Sequence, residues 1–161
     1  MRPFKYFLFL NLVFTIGLKS CSVQKSKTNE TLKIGTPYQG GILFYLFQEG
    51  DIGYVFGELH GLVVAPNDQS SEIEWGCFGT KIKGATKTAV GTGAQNTLAI
   101  IASCNETQIA AKVCDELVLE GYDDWFLPSK DELNLLYLNK DVITNFGDFY
   151  YWSSTAYGGF N

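Results

Sequence analysis

Gly121-Tyr122-Asp123-Asp124-Trp125-Phe126-Leu127-Pro128-Ser129-Lys130-Asp131-Glu132-Leu133 is the stretch that decides the fold. Ser129 followed three residues later by Glu132 is a capping box, and Leu133, Leu136 and Tyr137 continue at helical spacing, so a helix is predicted to start just after Ser129. Pro128 stands at its start, and Trp125 is expected in the core. Moving outward toward the N-terminus, Gly121 reads as the C-terminal glycine of a preceding helix, Ile109 to Leu119, capped by Thr107 and carrying Ile109, Val113 and Leu117 on one face. Before that, Asn96-Thr97 can cap a run through Leu98, Ile100, Ile101 and Cys104. Moving toward the C-terminus, Phe149 to Thr155 is aromatic, β-prone and bounded by turn residues, which predicts a strand that buries Trp152.

The N-terminal half has a different texture. Gly40 to Phe47 is a continuous apolar and aromatic run between turn signals and reads as a buried strand. Gln48 to Gly53 is a turn, Tyr54-Val55-Phe56 can return as a hairpin, and His60 to Ala65 is a further strand stopped by Pro66. Ser70 to Gly93, rich in glycine and threonine around Trp75-Gly76-Cys77, has neither period and should be a long ordered loop. The resulting class is α+β, with short antiparallel strands, two to three short helices and long ordered loops.

The 161 residues, 46% apolar and 15% aromatic, suffice for one domain with a sizeable core. Twelve basic against seventeen acidic residues give a formal charge of −5, the wrong sign for a phosphate-binding surface, so nucleic acid is not an expected partner.

Residues 1–20 read as an export signal. Arg2 and Lys5 precede an apolar stretch from Tyr6 to Leu18 that is broken only by Asn11 and Thr15. A helix crossing ~30 Å of hydrocarbon needs ~20 residues, more than this stretch supplies, so a cleaved signal is expected in place of a permanent span. Leu18-Lys19-Ser20-Cys21 resembles a bacterial lipobox, with Lys19 departing from the small or neutral residue usual there. The resemblance implies an acylated Cys21 and a protein lipid-anchored in the bacterial cell envelope, at the outer membrane or cell surface; ordinary secretion is the alternative. Each acyl CH₂ buried in a bilayer contributes ~0.8 kcal/mol, and several chains together hold a protein stably. Loss of residues 1–20 leaves nine basic residues and a formal charge of −8. Residues 21–34 are then a lipidated cysteine and a polar tether with almost nothing to bury, and 35–161 are the folded domain.

Cys77, Cys104 and Cys114 allow one intrachain bridge and leave one thiol over. Cys104–Cys114 is favoured, because a short loop separates them; Cys77–Cys104 is the competitor. The spacings are not those of a zinc knuckle, and the one histidine, His60, is remote in sequence.

Other chemistry is thin. His60 sits among strand residues, and no serine has a nucleophile-elbow glycine pattern, which argues against a hydrolase triad. Gly79-Thr80-Lys81-Ile82-Lys83-Gly84 is followed by Ala85-Thr86 and so lacks the Lys-Ser/Thr of a phosphate loop. Asp123, Asp124, Asp131 and Glu132 are the carboxylates that would gather around a hard cation such as calcium, but their spacing fits no EF-hand loop and Glu132 already has a capping role. The favoured reading is a solvated acidic face with no cofactor. Asp123, Asp124 and Tyr157 are the candidate ligand-facing residues, Tyr157 because it lies near the polar end of the chain.

Tyr38-Gln39-Gly40-Gly41-Ile42-Leu43-Phe44-Tyr45, His60 to Pro66, Trp75-Gly76-Cys77, Gly91 to Thr97, Gly121 to Leu133 and Tyr151-Trp152-Ser153-Ser154 together resemble the bacterial Lcl-type C-terminal domain, over about residues 38–157. That family is a domain of unknown function named from a collagen-like surface protein. The resemblance implies a C-type-lectin-like fold on a surface protein, adhesion or glycan binding, and no general enzymatic activity. Trp125, Pro128, Ser129, Glu132 and Trp152 carry the shared motif and are expected to be structural. Gly50 to Leu59 is longer than the family's usual connection, which predicts an extended hairpin. Family members continue past the Trp-Ser-Ser strand, so the domain is expected to be incomplete at Asn161 and Ile42 to Phe47 to lack a partner. The functional expectation is a non-enzymatic envelope lipoprotein that binds a glycan or surface polymer. The alternatives are an assembly role in the envelope and an enzyme akin to the formylglycine-generating oxidases, with Cys104 and Cys114 as its cysteine pair.

Overall fold

The computed structural model describes residues 32–143 and 145–157. The signal segment 1–20, Cys21 and the tether up to residue 31 lie outside the described residues, as do Thr144 and 158–161. The described chain is mixed α+β, with a three-stranded antiparallel sheet and three helices. No helix in it is long and apolar enough to cross a membrane.

Strand β1, Pro37–Tyr38, turns through Gln39-Gly40 into β2, Gly41–Leu46, which pairs on its other side with β3, Gly61–Val64. Both turn residues have positive φ, 48° and 81°, the conformation a two-residue hairpin of this twist requires. Glycine is needed at 40 for a second reason, since a Cβ there would lie 2.8 Å from the Leu119 carbonyl oxygen. Leu119 belongs to another two-residue turn of the same kind, Glu120-Gly121, closed by paired bonds between Leu119 and Tyr122.

The sheet register explains why β2 shows no alternation. Leu43 faces Val63 and Tyr45 faces Leu62, so Phe44 is an extra residue in a bulge. Leu43 and Phe44 are both buried in succession as a result. The expectation that Ile42 to Phe47 lacks a partner is corrected, because β2 is the central strand of the sheet. The extended hairpin over Gly50 to Leu59 and the strand at Tyr54 to Phe56 do not form; the segment is a string of turns. It is held by Asp51, whose carboxylate accepts the Gln48 N–H at 2.7 Å and the Tyr45 hydroxyl at 2.8 Å. Burial, then that bond and charge, push the Tyr45 phenol up to about 12.

Helix α1, Gly93–Ser103, starts earlier than Asn96-Thr97 suggested, because the Asn96 N–H already bonds the Thr92 carbonyl. Asn96 and Thr97 therefore lie inside the helix and are buried. Helix α2, Ala110–Asp115, is shorter than expected, since the tight turn at Glu120-Gly121 takes over the chain before Leu119 can join it. Helix α3, Lys130–Leu138, starts as the sequence predicts, with both halves of the capping box formed, and a single 3₁₀ turn, Lys140–Val142, follows it. The segment between β3 and α1 carries no helix or strand, as expected.

Two apolar clusters result. One, around Ile82, Ile100, Ile109 and Leu127, joins α1 to α2 and contains a disulfide between Cys77 and Cys104. The other, Phe44, Leu62, Leu136 and Ile143, joins β2 to α3. The disulfide corrects the Cys104–Cys114 expectation. A parallel bridge between Glu74 and Ile109 lays the segment leading to Cys77 beside the start of α2, and the Cys77 and Cys104 Cα atoms stand 5.8 Å apart. Cys114, in the last turn of α2, packs against the first cluster as a free thiol. Burial and, secondarily, the neighbouring charge of Asp115 push that thiol up to about 11.

Candidate functional site: an aromatic groove

The two clusters are pinned together by a buried polar junction. Glu132, 1% exposed, accepts the Gly91 N–H at 2.7 Å and the Gly93 N–H at 3.4 Å on one oxygen, and the Ser129 N–H at 2.7 Å on the other. The capping carboxylate of α3 thus also caps the start of α1, and a Cβ at Gly93 would collide with it. Thr97 Oγ1 donates to the Gly93 carbonyl at 2.8 Å and accepts the Leu127 N–H at 3.1 Å. Asn96 and Thr155 both donate to the Lys87 carbonyl, at 2.6 and 2.9 Å.

Residues 149–155, expected as a strand, form none. Their backbone partners come from several different segments. The Ser154 N–H goes to the Pro128 carbonyl, the next such donor, Ala156 N–H, goes to Ala85, and the Ser153 carbonyl accepts the Trp75 indole N–H at 2.7 Å. Reciprocally, the Trp152 indole N–H donates to the Ile73 carbonyl at 2.8 Å. The two tryptophans thereby cross-link residues 73–75 to 152–153.

Between these segments runs an open groove of about 620 Å³, walled by Trp75, Phe78, Trp152 and Tyr157 with Glu74 and Glu106 among its lining. The placement of Trp152 corrects the expectation that it is core: with its indole N–H pinned to the Ile73 carbonyl, it is 51% exposed. Phe78 is 94% and Tyr157 95% exposed. Gly76 lies in the wall with φ of 102°, and any Cβ there would run into the Ile109 side chain. Glu106 follows the disulfide, one of its carboxylate oxygens lying within 4.8 Å of both sulfurs. Tyr151, also in the wall, stacks on Phe146 at 4.6 Å, accepts the Gly147 N–H and donates to Asp68. Burial raises its phenol, opposed by the Gly147 bond and aided by Asp68.

The candidate ligand-facing residues separate. Tyr157 lines the groove, whereas Asp123 and Asp124 are exposed outside it. Trp125 is half-buried, its indole N–H bonded to the Tyr122 carbonyl at 3.0 Å. Pro128 contributes its carbonyl to Ser154, and Ser129 is fully buried as the α3 cap. The carboxylates suggested for calcium do not gather, Glu132 being committed to backbone donors. Among the described residues, the one cluster with metal-ligating side chains is Cys77, Cys104 and Glu106, and its sulfurs are bonded to each other. His60 lies 2.8 Å from Glu58, at the start of β3 and outside the groove lining.

Glu74, Phe78 and Glu106 are the site residues that sequence reasoning missed. Phe78 carried a usable signal: an aromatic in a glycine- and threonine-rich stretch without periodicity has no helix or strand face to bury it. Comparisons with protein-family models, curated proteins and solved structures return no match.

Proposed function

We propose that this chain is a non-enzymatic, lipid-anchored module of the bacterial cell envelope that binds a glycan or surface polymer in the aromatic groove. The observation that carries the reading is the exposure of Phe78, Trp152 and Tyr157 along one concavity. Rings of this size are favourable to bury, and a wall of them left open to water marks a binding surface. Both indole N–H groups are taken up by backbone carbonyls, so the tryptophans offer ring faces, suited to stacking on the C–H face of a pyranose. A C-type-lectin-like domain of the Lcl type, carried on an acylated Cys21 and a polar tether, is the architecture that fits this reading.

The test is retention of the full-length protein on arrays of envelope and matrix glycans. Phe78→Ala combined with Tyr157→Ala, both rings being almost fully exposed, should reduce retention at least tenfold with little change in melting temperature, while Asp123→Asn leaves it unaltered. Undiminished retention by the double variant would remove the groove from the proposal. For the anchor, metabolic lipid labelling should mark the protein and be abolished by Cys21→Ser.

An assembly role in the envelope is the second reading, favoured by loop 47–60, where Phe56 is 91% and Leu59 72% exposed. Cross-linking from position 56 in intact cells, with capture of a defined envelope protein, separates it from the first.

A further inference from the structure

The groove has a sign as well as a shape. Its charged lining residues are Glu74 and Glu106, and no lysine or arginine lines it. The sole arginine of the sequence is Arg2, so the described residues hold no guanidinium with which to grip a sulfate, phosphate or carboxylate in the bidentate manner. The Glu106 carboxylate lies beside the Cys77–Cys104 bridge, and the Glu74 main chain is anchored where its carbonyl accepts the Ala110 N–H at 2.9 Å. Carboxylates next to stacking rings complement a ligand that carries positive charge on a flat, partly apolar body.

Resting on the glycan reading above, we infer that the ligand is a cationic amino-sugar polymer, a β-linked glucosamine chain with free amines. Its pyranose faces stack on Trp152, Phe78 and Tyr157, and its ammonium groups pair with Glu74 and Glu106. A fully N-acetylated polymer keeps the stacking and loses the ion pairs, while an anionic polysaccharide meets two like charges and no cation.

Full-length protein purified in detergent is titrated calorimetrically with a β-1,4-linked glucosamine pentamer and with its fully N-acetylated counterpart. Two solvent-exposed ion pairs together correspond to about tenfold in affinity, so the free-amine pentamer is expected to bind about tenfold more tightly, with the difference shrinking as salt rises. The Glu74→Gln, Glu106→Gln double variant should bring the amine form down to the level of the acetylated one and leave the acetylated one alone. Asp123→Asn with Asp124→Asn, outside the groove, should leave the ratio intact. The inference is overturned if the acetylated pentamer binds as tightly, if the glutamine variant keeps the preference, or if the Asp123 and Asp124 changes lower it equally, since that would be general attraction to an acidic protein. In all of these, Trp152-dependent binding of the acetylated pentamer would leave the glycan reading standing. Failure of both pentamers to bind overturns the amino-sugar inference, while the glycan reading stands or falls on the array.

Discussion

Trp152 and Ser154 are two residues apart, yet the large aromatic ring is half in water and the small hydroxyl is fully buried. The same inversion separates two whole regions. In the junction around Glu132, inaccessible positions are filled by Thr92, Asn96, Thr97, Ser129, Glu132 and Ser154, while the groove presents Phe78, Trp152 and Tyr157 to solvent. Where the chain crosses between segments without regular secondary structure, its backbone donors and acceptors need partners that a sheet would otherwise supply, and short polar side chains supply them. Rings left outside that arrangement are available to a ligand.

The sharpest way to break the contrast is to remove the central acceptor. Glu132→Ala deprives the N–H groups of Gly91, Gly93 and Ser129 of their partner in a place water does not reach. A loss of about 4 kcal/mol in urea-denaturation stability is expected, near the upper end for a single substitution. Glu132→Gln keeps one oxygen and should cost about half as much. If Glu132→Ala proves no worse than a typical surface change, the junction is not what holds the segments together.

Next in size is the bridge beneath the groove. Cys77 and Cys104 are separated by 27 positions, and releasing a loop of that length raises unfolded-state entropy by an amount worth about 3.5 kcal/mol. The Cys77→Ala, Cys104→Ala variant should lose roughly that stability. Because Phe78 adjoins Cys77 and Glu106 lies beside both sulfurs, glycan retention should fall even at temperatures where the variant remains folded. A variant that loses stability and keeps full retention would show that the bridge serves the core alone.

Much of this was legible in advance, and the part that was not has a common cause. Ser129 and Glu132 declare α3 locally, and Gly40 to Phe47 and His60 to Ala65 declare their strands, because these signals depend on neighbours in sequence. The second role of Glu132, at Gly91 and Gly93, joins positions about forty residues apart and leaves no local trace. Trp152 and the residues around it read as a buried strand because aromatic, β-prone residues usually pair; here the Ser153 carbonyl, the Ser154 N–H and the Ala156 N–H go to three different segments. The groove was legible only in Tyr157, since its other walls come from segments that meet through the tryptophan cross-links and the disulfide. Choosing Cys104–Cys114 followed short loop length, whereas the Glu74–Ile109 bridge decided the pairing.

The free thiol gives a smaller, pH-dependent effect. Cys114 ordinarily ionises near 9 and is held to about 11 in the fold, mainly by burial. Its neutral form therefore favours the folded state below pH 9, and that contribution disappears as pH rises from 9 through about 11, because the unfolded chain loses the proton first. Wild type should lose on the order of 2 kcal/mol over that range relative to Cys114→Ala, as measured by urea denaturation at a series of pH values. Tyr45, raised to about 12, adds the same sign of dependence at still higher pH in both proteins, so it cancels in the comparison.

Ser154→Ala is the smallest effect and the one that discriminates most finely between buried polar groups. Ser154 is as inaccessible as Glu132, but its hydroxyl oxygen has no hydrogen-bond partner among the described residues, and its part in the junction runs through the backbone N–H to the Pro128 carbonyl, which alanine keeps. Removing a hydroxyl that is desolvated and unpaired takes away a penalty, against a small loss of packing. The variant should be unchanged or more stable by up to about 1 kcal/mol. Destabilisation by more than that amount would mean that the hydroxyl carries a bond in solution, and the junction would then depend on its side chains at Ser154 as fully as it does at Glu132.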